Sequence, residues 1–231
     1  MSDSSTIPAT PFAPADAAAV YRAIDERRDM RHFAGGVVDP QVLCRLLMAA
    51  HHAPSVGFMQ PWRFIRISDR DLRQKIHQVV ETERVLTARA LGERESEFMQ
   101  LKVQGVLEAA EVWVVALADG RDKHIFGRRT MPQMDLASAS CAIQNLWLAA
   151  RVEGLGMGWV SLFDPSEIAR LLGLPEDASP IALLCLGPVK NYYRKPMLEQ
   201  TQWAQRQALS ALVYDDRWGA SSALFSEGDP A

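Results

Sequence analysis

From residue 134 to 152 the chain is almost continuously apolar: Leu136, Ala139, Ala142, Ile143, Leu146, Trp147, Ala149 and Ala150 leave no broad polar face. A helix apolar on all sides is buried in a core or in a subunit interface. Helical spacing through Val20, Ile24 and Arg27 predicts a helix over 17–27. Pro40 opens a second helix carrying Leu43, Leu46, Leu47 and Ala50, which Pro54 and Gly57 stop. Alternation over 62–67 predicts a strand, and Asp69 is placed to cap a helix over 71–80. Apolar runs predict strands over 111–118, 159–163 and 181–186, with a short helix over 165–172. Helices and strands mix without strict βαβ alternation and without an internal repeat, which points to an α+β fold.

Between 81 and 108 the character changes to densely charged sequence with scattered apolar residues (Val85, Leu86, Leu91, Phe98, Met99, Leu101). One reading is one or two marginal, solvated surface helices. The other is a mobile lid, since covers over sites come from weakly packed segments. Residues 1–16, rich in Ser, Thr, Pro and Ala, read as a flexible tail before a single domain over 17–231.

Composition narrows the partners. The chain has 231 residues, 48% hydrophobic and 23% charged, with a net charge of -3, so one domain with a sizeable core is expected and no nucleic-acid partner. No apolar stretch spans a membrane and no signal peptide is visible, which reads as a cytoplasmic protein. Cys44, Cys141 and Cys185 each sit in an apolar context, and are expected to be buried structural thiols in a reducing compartment. Neither they nor His51 and His52 have metal-ligand spacing, so no metal site is expected.

Candidate chemistry concentrates between Arg27 and Trp62. Arg27, Arg28 and Arg31 fall within five residues before the Gly35-Gly36 loop, and guanidinium forks bind phosphate oxygens bidentately. A solvated basic patch is the plainer reading of a lone triplet. Pro54-Ser55, followed by Gln60-Pro61-Trp62, offers a fixed loop with hydroxyl and amide groups suited to a flat heterocycle. A phosphate clamp beside a ring platform suggests FMN. Gly154, Gly156 and Gly158 do not form a dinucleotide fingerprint, because a helix precedes them and a strand follows. They either let backbone N–H groups approach a ligand or simply stop a helix. The Gly-x-Ser-x-Gly elbow, the phosphate loop and His-Glu-x-x-His are absent, which removes hydrolase, NTPase and zinc-protease readings.

Together these motifs resemble the nitroreductase-like FMN flavoproteins over roughly 20–218. In that family an Arg-Arg-Ser-x-Arg element holds the FMN phosphate, and a Pro-Ser-x-x-Asn-x-Gln-Pro-Trp element lines the flavin. The resemblance implies a central, mostly antiparallel sheet flanked by helices, and a domain-swapped type of homodimer with FMN at the subunit interface. Two departures narrow it: Asp29 replaces the family serine and Phe58 the asparagine. With His51-His52-Ala53, Gln144-Asn145-Leu146-Trp147, Trp159-Val160-Ser161 and Asp216-Arg217-Trp218-Gly219, they resemble the branch that consumes its flavin. That branch fragments reduced FMN with O2 into 5,6-dimethylbenzimidazole, the lower ligand of cobalamin, and erythrose 4-phosphate.

The resemblance assigns Arg27, Arg28, Asp29, Met30 and Arg31 to the phosphate end, and Pro54, Ser55, Gln60, Gly156, Gly158 and Ser161 to the ring. Arg206 is a further candidate phosphate cation. Asp29 is the expected general base and Ser161 the group that orients oxygen near flavin N5. Phe58 is expected to dry the site, and 81–108 to cover it. Reduced FMN and O2 are the implied substrates, supplied with the help of a separate NAD(P)H-dependent flavin reductase. A conventional NAD(P)H nitroreductase or flavin reductase that keeps its FMN, and a non-catalytic FMN carrier, are the competing readings.

Overall fold

The computed structural model describes residue 7 and residues 9–225, and the chain divides into two compact units, 1–192 and 193–231. Residues 1–6 and 8 of the expected tail lie outside the described residues. Helix α1 (Pro14–Glu26) starts at Pro14, earlier than the spacing predicted, because proline at the first helical position is already set to a helical φ.

Next come α2 (Pro40–His51) and β1 (Trp62–Arg66), close to their expected bounds. The Asp39 carboxylate caps α2 by accepting from the Gln41 N–H at 2.7 Å. Helix α3 (Arg70–Ala90) is capped by Asp69, which accepts from the Leu72 N–H at 2.7 Å. It runs about twice as far as expected, through the first part of the charged stretch. Charged side chains are good helix formers, and a thin apolar stripe at Ile76, Val80 and Ala88 keeps one face buried throughout. Helix α4 (Glu95–Gln100) then leads to β2 (Glu111–Leu117).

Helix α5 (Met134–Val152) has the predicted bounds, as does α6 (Pro165–Leu172). Between them β3 spans Leu155–Val160, so the strand expected over 159–163 instead begins inside the glycine run and ends before Ser161. The glycines do not interrupt the ladder, because Gly156 and Gly158 pair with Gly187 and Cys185 of the last strand, β4 (Ser179–Pro188).

The sheet order is β1-β2-β4-β3, with every neighbouring pair antiparallel. One face carries Val115, Leu117, Ala182, Leu184 and Leu186 against α5 and α2, burying Ala139, Ala142, Ile143, Leu146, Leu43 and Leu46. The other carries Val112, Val114, Leu183 and Cys185 against Ile76 and Val80 of α3 and Ile168 of α6. Both faces are covered, which is why β2 and β4 read as continuous apolar runs rather than alternating ones. The apolar α5 is the central core helix, and Trp147 anchors it by donating its indole N–H to the Met157 carbonyl at 3.1 Å.

One expectation about the cysteines fails. Cys185 is buried, but Cys44 and Cys141 are exposed. Their neighbours in sequence are apolar, yet helical geometry turns these two positions away from the core. No helix of the described residues is long and apolar enough to cross a membrane.

Among its described residues the C-terminal unit, 193–231, holds the short helix α7 (Met197–Gln200), a 3-10 turn over Leu209–Ala211 and a tight reversal closed by a bridge between Tyr214 and Ser221. Asp215 braces that reversal by accepting from the Ala223 N–H at 2.8 Å, a bond that holds its carboxyl below the usual carboxylate range.

Candidate active site

Past α1 the chain becomes extended at Arg27 and lies alongside β3. Asp29 forms an isolated parallel bridge with Met157, and the Met30 N–H donates to the Met157 carbonyl at 2.9 Å. Met30 itself is buried under this segment. The close approach needs the glycines of β3. A Cβ on Gly158 would lie 2.3 Å from the Met30 carbonyl oxygen and 2.7 Å from Arg31 Nη1, and one on Gly156 would lie 3.1 Å from Met30 Cγ. These glycines, expected to present backbone to a ligand, admit the 29–31 segment.

Asp29 is thereby held against the end of β3. Its Oδ1 accepts from the Trp159 N–H at 3.1 Å, and its Oδ2 from Arg31 Nη2 at 2.6 Å. The carboxylate keeps some solvent access, with 44% of the side chain exposed, while protein crowds its remaining sides. Burial pushes its pKa above the usual carboxylate value, and Arg31, the Trp159 N–H and Arg27 pull against that rise. Ser161 lies two positions beyond Trp159, exposed and just past the strand end.

The three arginines diverge. Arg27 lays its guanidinium over the Trp147 ring, 4.5 Å from the centroid. Arg28 Nη1 donates to the Asp25 carbonyl and, at 2.9 Å, to that of Arg27. Arg31 turns inward, and the same Nη2 that meets Asp29 also donates to the Trp159 carbonyl at 2.8 Å. Arg27, Arg28 and Arg31 were expected to hold a phosphate together; of these, Arg31 donates to Asp29 and to the Trp159 carbonyl.

The loop from Pro54 to Pro61 is tightly braced. Ser55 Oγ accepts from the Gln60 N–H at 3.1 Å, and the Val56 N–H donates to Ser138 Oγ of α5 at 3.0 Å. Three residues take left-handed backbone: Gly57 at φ +53°, Phe58 at φ +53° and Gln60 at φ +49°. For Phe and Gln that conformation is strained, and such strain persists only where the surroundings enforce it. Gln60 helps line an open hollow of about 390 Å³ with His51, Trp62 and Arg63. Pro54 is exposed at the start of the loop. Phe58, expected to dry a flavin face, is 83% exposed on a left-handed backbone. Ile125 and Phe126 are also exposed, and Phe126 packs on Gly57.

Behind this loop is a brace that the motif reading missed. Asp135 Oδ2 accepts from both Arg121 Nε at 2.8 Å and Arg128 Nη2 at 3.1 Å, and this pins the 121–134 connection. Ser138 one turn later donates to Met134 O at 2.6 Å while accepting from Val56. The available signal was Asp135 and Ser138 in the first turns of a largely apolar helix, where the structure buries both.

The charged stretch is anchored more firmly than a solvated excursion. Arg84 Nη2 donates to the Met99 carbonyl at 2.6 Å and to that of Leu101 at 3.2 Å. Gln104 donates to Glu81 at 3.2 Å and accepts from the Val106 N–H at 2.7 Å. A Cβ on Gly105 would lie 2.5 Å from Phe33 Cε2 and 3.1 Å from the Arg31 carbonyl oxygen, so the stretch returns directly against the Asp29 segment. A groove of about 690 Å³ lies between α3 and α6 and takes Thr82, Glu83 and Leu86 from the charged stretch. Arg206 belongs to the C-terminal unit and is exposed.

The site is thus an arginine-rich turn docked on a glycine-bearing strand of an antiparallel sheet packed between helices. Residues 24–188 match the model of the Nitroreductase family, and the chain belongs to that family. It is 40% identical over 184 residues to 5,6-dimethylbenzimidazole synthase of Rhodospirillum rubrum, covering 78% of this chain and 87% of that protein. It is 37% identical over 181 residues to 5,6-dimethylbenzimidazole synthase of Rhodobacter capsulatus, with the same coverage of 78% and 87%. In fold it is similar to oxidized iodotyrosine deiodinase bound to FMN and 3-iodo-L-tyrosine, with a TM-score of 0.64, 23% identity, and coverage of 76% of this chain and 92% of that one.

Proposed function

We propose that this enzyme is a 5,6-dimethylbenzimidazole synthase, which fragments reduced FMN with O2 into 5,6-dimethylbenzimidazole and erythrose 4-phosphate. The observation that carries the reading is the placement of Asp29. A carboxylate with a raised pKa sits between the arginines of the same segment and the strand end that leads to Ser161. The 40% identity to the Rhodospirillum rubrum synthase supports the same substrate and product.

The residues fit a flavin mononucleotide. Arg27 and Arg28, at the end of α1, supply cationic donors for a phosphate monoester. Pro54, Ser55 and Gln60 lie on one strained, braced loop, which suits a rigid seat for a planar ring. Gly156 and Gly158 act from behind, by letting Met30 and Asp29 dock. When bound, reduced FMN supplies both the electrons for O2 and the carbon skeleton of the product.

The remaining chemistry belongs to the chain. Asp29 accepts a proton from a sugar hydroxyl, and its raised pKa makes it a better base than an ordinary carboxylate. Ser161 donates a hydrogen bond beside the ring and orients oxygen. Residues 81–108 cover the site and exclude water; their return past Arg31 at Gly105 supports that role. A homodimer belongs to this reading, supported by exposed Val20, Tyr21 and Ile24 on α1 and by exposed Phe58, Ile125 and Phe126. A separate NAD(P)H-dependent flavin reductase supplies the reduced flavin.

Coupling the enzyme to such a reductase, with NADH and FMN in air, tests the reading. Loss of FMN in step with dimethylbenzimidazole formation supports it. Sustained NAD(P)H oxidation by the enzyme alone, with all FMN retained, would replace it by the conventional nitroreductase or flavin reductase reading.

A further inference from the structure

The part of the arginine run that phosphate binding does not explain is Arg31. Its side chain is 10% exposed, and its Nη2 joins two partners, Asp29 Oδ2 at 2.6 Å and the Trp159 carbonyl at 2.8 Å. A guanidinium NH2 carries two hydrogens that diverge in a plane, one for each of these acceptors. The Trp159 N–H closes the figure by donating to Asp29 Oδ1 at 3.1 Å. Residue 159 thus meets Asp29 through its N–H and Arg31 through its carbonyl. The arrangement exists only because position 158 is glycine: a Cβ there would lie 2.7 Å from Arg31 Nη1.

We propose that Arg31 is a positioning residue, which fixes the Asp29 carboxylate on the end of β3 in register with Ser161, and is not a phosphate ligand. Resting on the functional reading above, this assigns the third arginine of the run a separate task from Arg27 and Arg28. Arg27 faces Trp147 and Arg28 turns back to the end of α1, so neither substitutes for Arg31 at Asp29.

The charged and titratable groups around Asp29 are Arg31 and Arg27 on its own segment and Cys185 on β4. Burial holds the Cys185 thiol up at about 11, so it is neutral wherever Asp29 titrates. Arg31 is the first of the groups that hold Asp29 down against burial. Removing its charge therefore raises the pKa of Asp29. A reaction that needs ionised Asp29 then loses its acid limb at a higher pH than in the wild type.

The experiment compares Arg31→Gln and Arg31→Lys with the wild type, each checked for folding by circular dichroism. Affinities for oxidised FMN and for riboflavin are read by flavin fluorescence, and product yield from reduced FMN and O2 is read across pH. Riboflavin lacks the phosphate, so the ratio of the two affinities isolates phosphate binding. We expect that ratio to stay within about twofold of wild type in both variants, because loss of a charge-assisted phosphate bond would lower it about tenfold or more. Product formation in Arg31→Gln falls on the order of 100-fold, and its acid limb moves to higher pH. Arg31→Lys, which keeps the charge, returns the limb toward wild type. In an Asp29→Asn background, Arg31→Gln lowers product formation no further, since the two act as one unit. A tenfold loss of FMN preference over riboflavin with an unmoved acid limb would overturn the proposal. If the wild type itself forms no dimethylbenzimidazole, the functional reading fails, and the affinity ratio still decides whether Arg31 touches phosphate.

Discussion

Asp29 is subject to opposed influences: burial favours its neutral form, while Arg31, the Trp159 N–H and Arg27 favour the anion. Burial prevails, which leaves a carboxylate more basic than one in water. Asp29→Asn keeps the shape and removes the base. We expect it to bind FMN with near wild-type affinity, by fluorescence titration, and to lose about 100- to 10,000-fold in product formation. Undiminished product would remove Asp29 from the chemistry. Cys185 gives a second prediction at this scale. Its thiol is pushed up to about 11 by burial, above the value it takes when unfolded. The unfolded chain therefore releases that proton first as pH rises, and stability falls between roughly pH 9 and 11. Denaturant midpoints across that range should fall in the wild type and fall less in Cys185→Ala; equal slopes would contradict the burial of Cys185. Residue types at the site were legible in the sequence, including the Asp29 departure. The orientation of Arg31 was not, because it depends on a carbonyl 128 positions away that only the docking of two backbones brings near.

The elements that build the site are β3, α5 and the 54–61 loop, and Ser138 links the last two. Its Oγ accepts from the Val56 N–H at 3.0 Å and donates to Met134 O at 2.6 Å. Ser138→Ala leaves the Val56 N–H without its acceptor, which costs about 1–3 kcal/mol. It also relaxes a loop that holds Phe58 and Gln60 in left-handed conformations. We expect a lower unfolding midpoint together with weaker FMN binding. A lower midpoint with unchanged FMN affinity would mean that the loop does not seat the ring. Most elements followed from periodicity and caps: α2, α5 and α6 begin where Pro or apolar spacing predicted. Two boundaries did not. The charged second half of α3 has only a thin apolar stripe, which resembles a solvated surface. The start of β3 was hidden because glycine is a poor strand former, and its reason for being there is the neighbouring segment at Met30.

Across the larger unit, 1–192, a four-stranded antiparallel sheet is covered on both faces, yet α1 buries none of its own residues. Tyr21 on α1 is 73% exposed and Phe126 84% exposed. Apolar surface of this kind is the basis for the proposed homodimer, which sedimentation equilibrium should show as a mass twice that of the chain. A monomer at every concentration would contradict it. The α+β class was legible from the order of apolar runs, and its flanking helices from their stripes. Whether the enzyme destroys its flavin or cycles it is measured directly by a single turnover. Stoichiometric, chemically reduced FMN is bound without oxygen, O2 is admitted, and all flavin-derived products are quantified by mass spectrometry. One dimethylbenzimidazole and one erythrose 4-phosphate are expected for each FMN lost. Full recovery of intact oxidised FMN would contradict it.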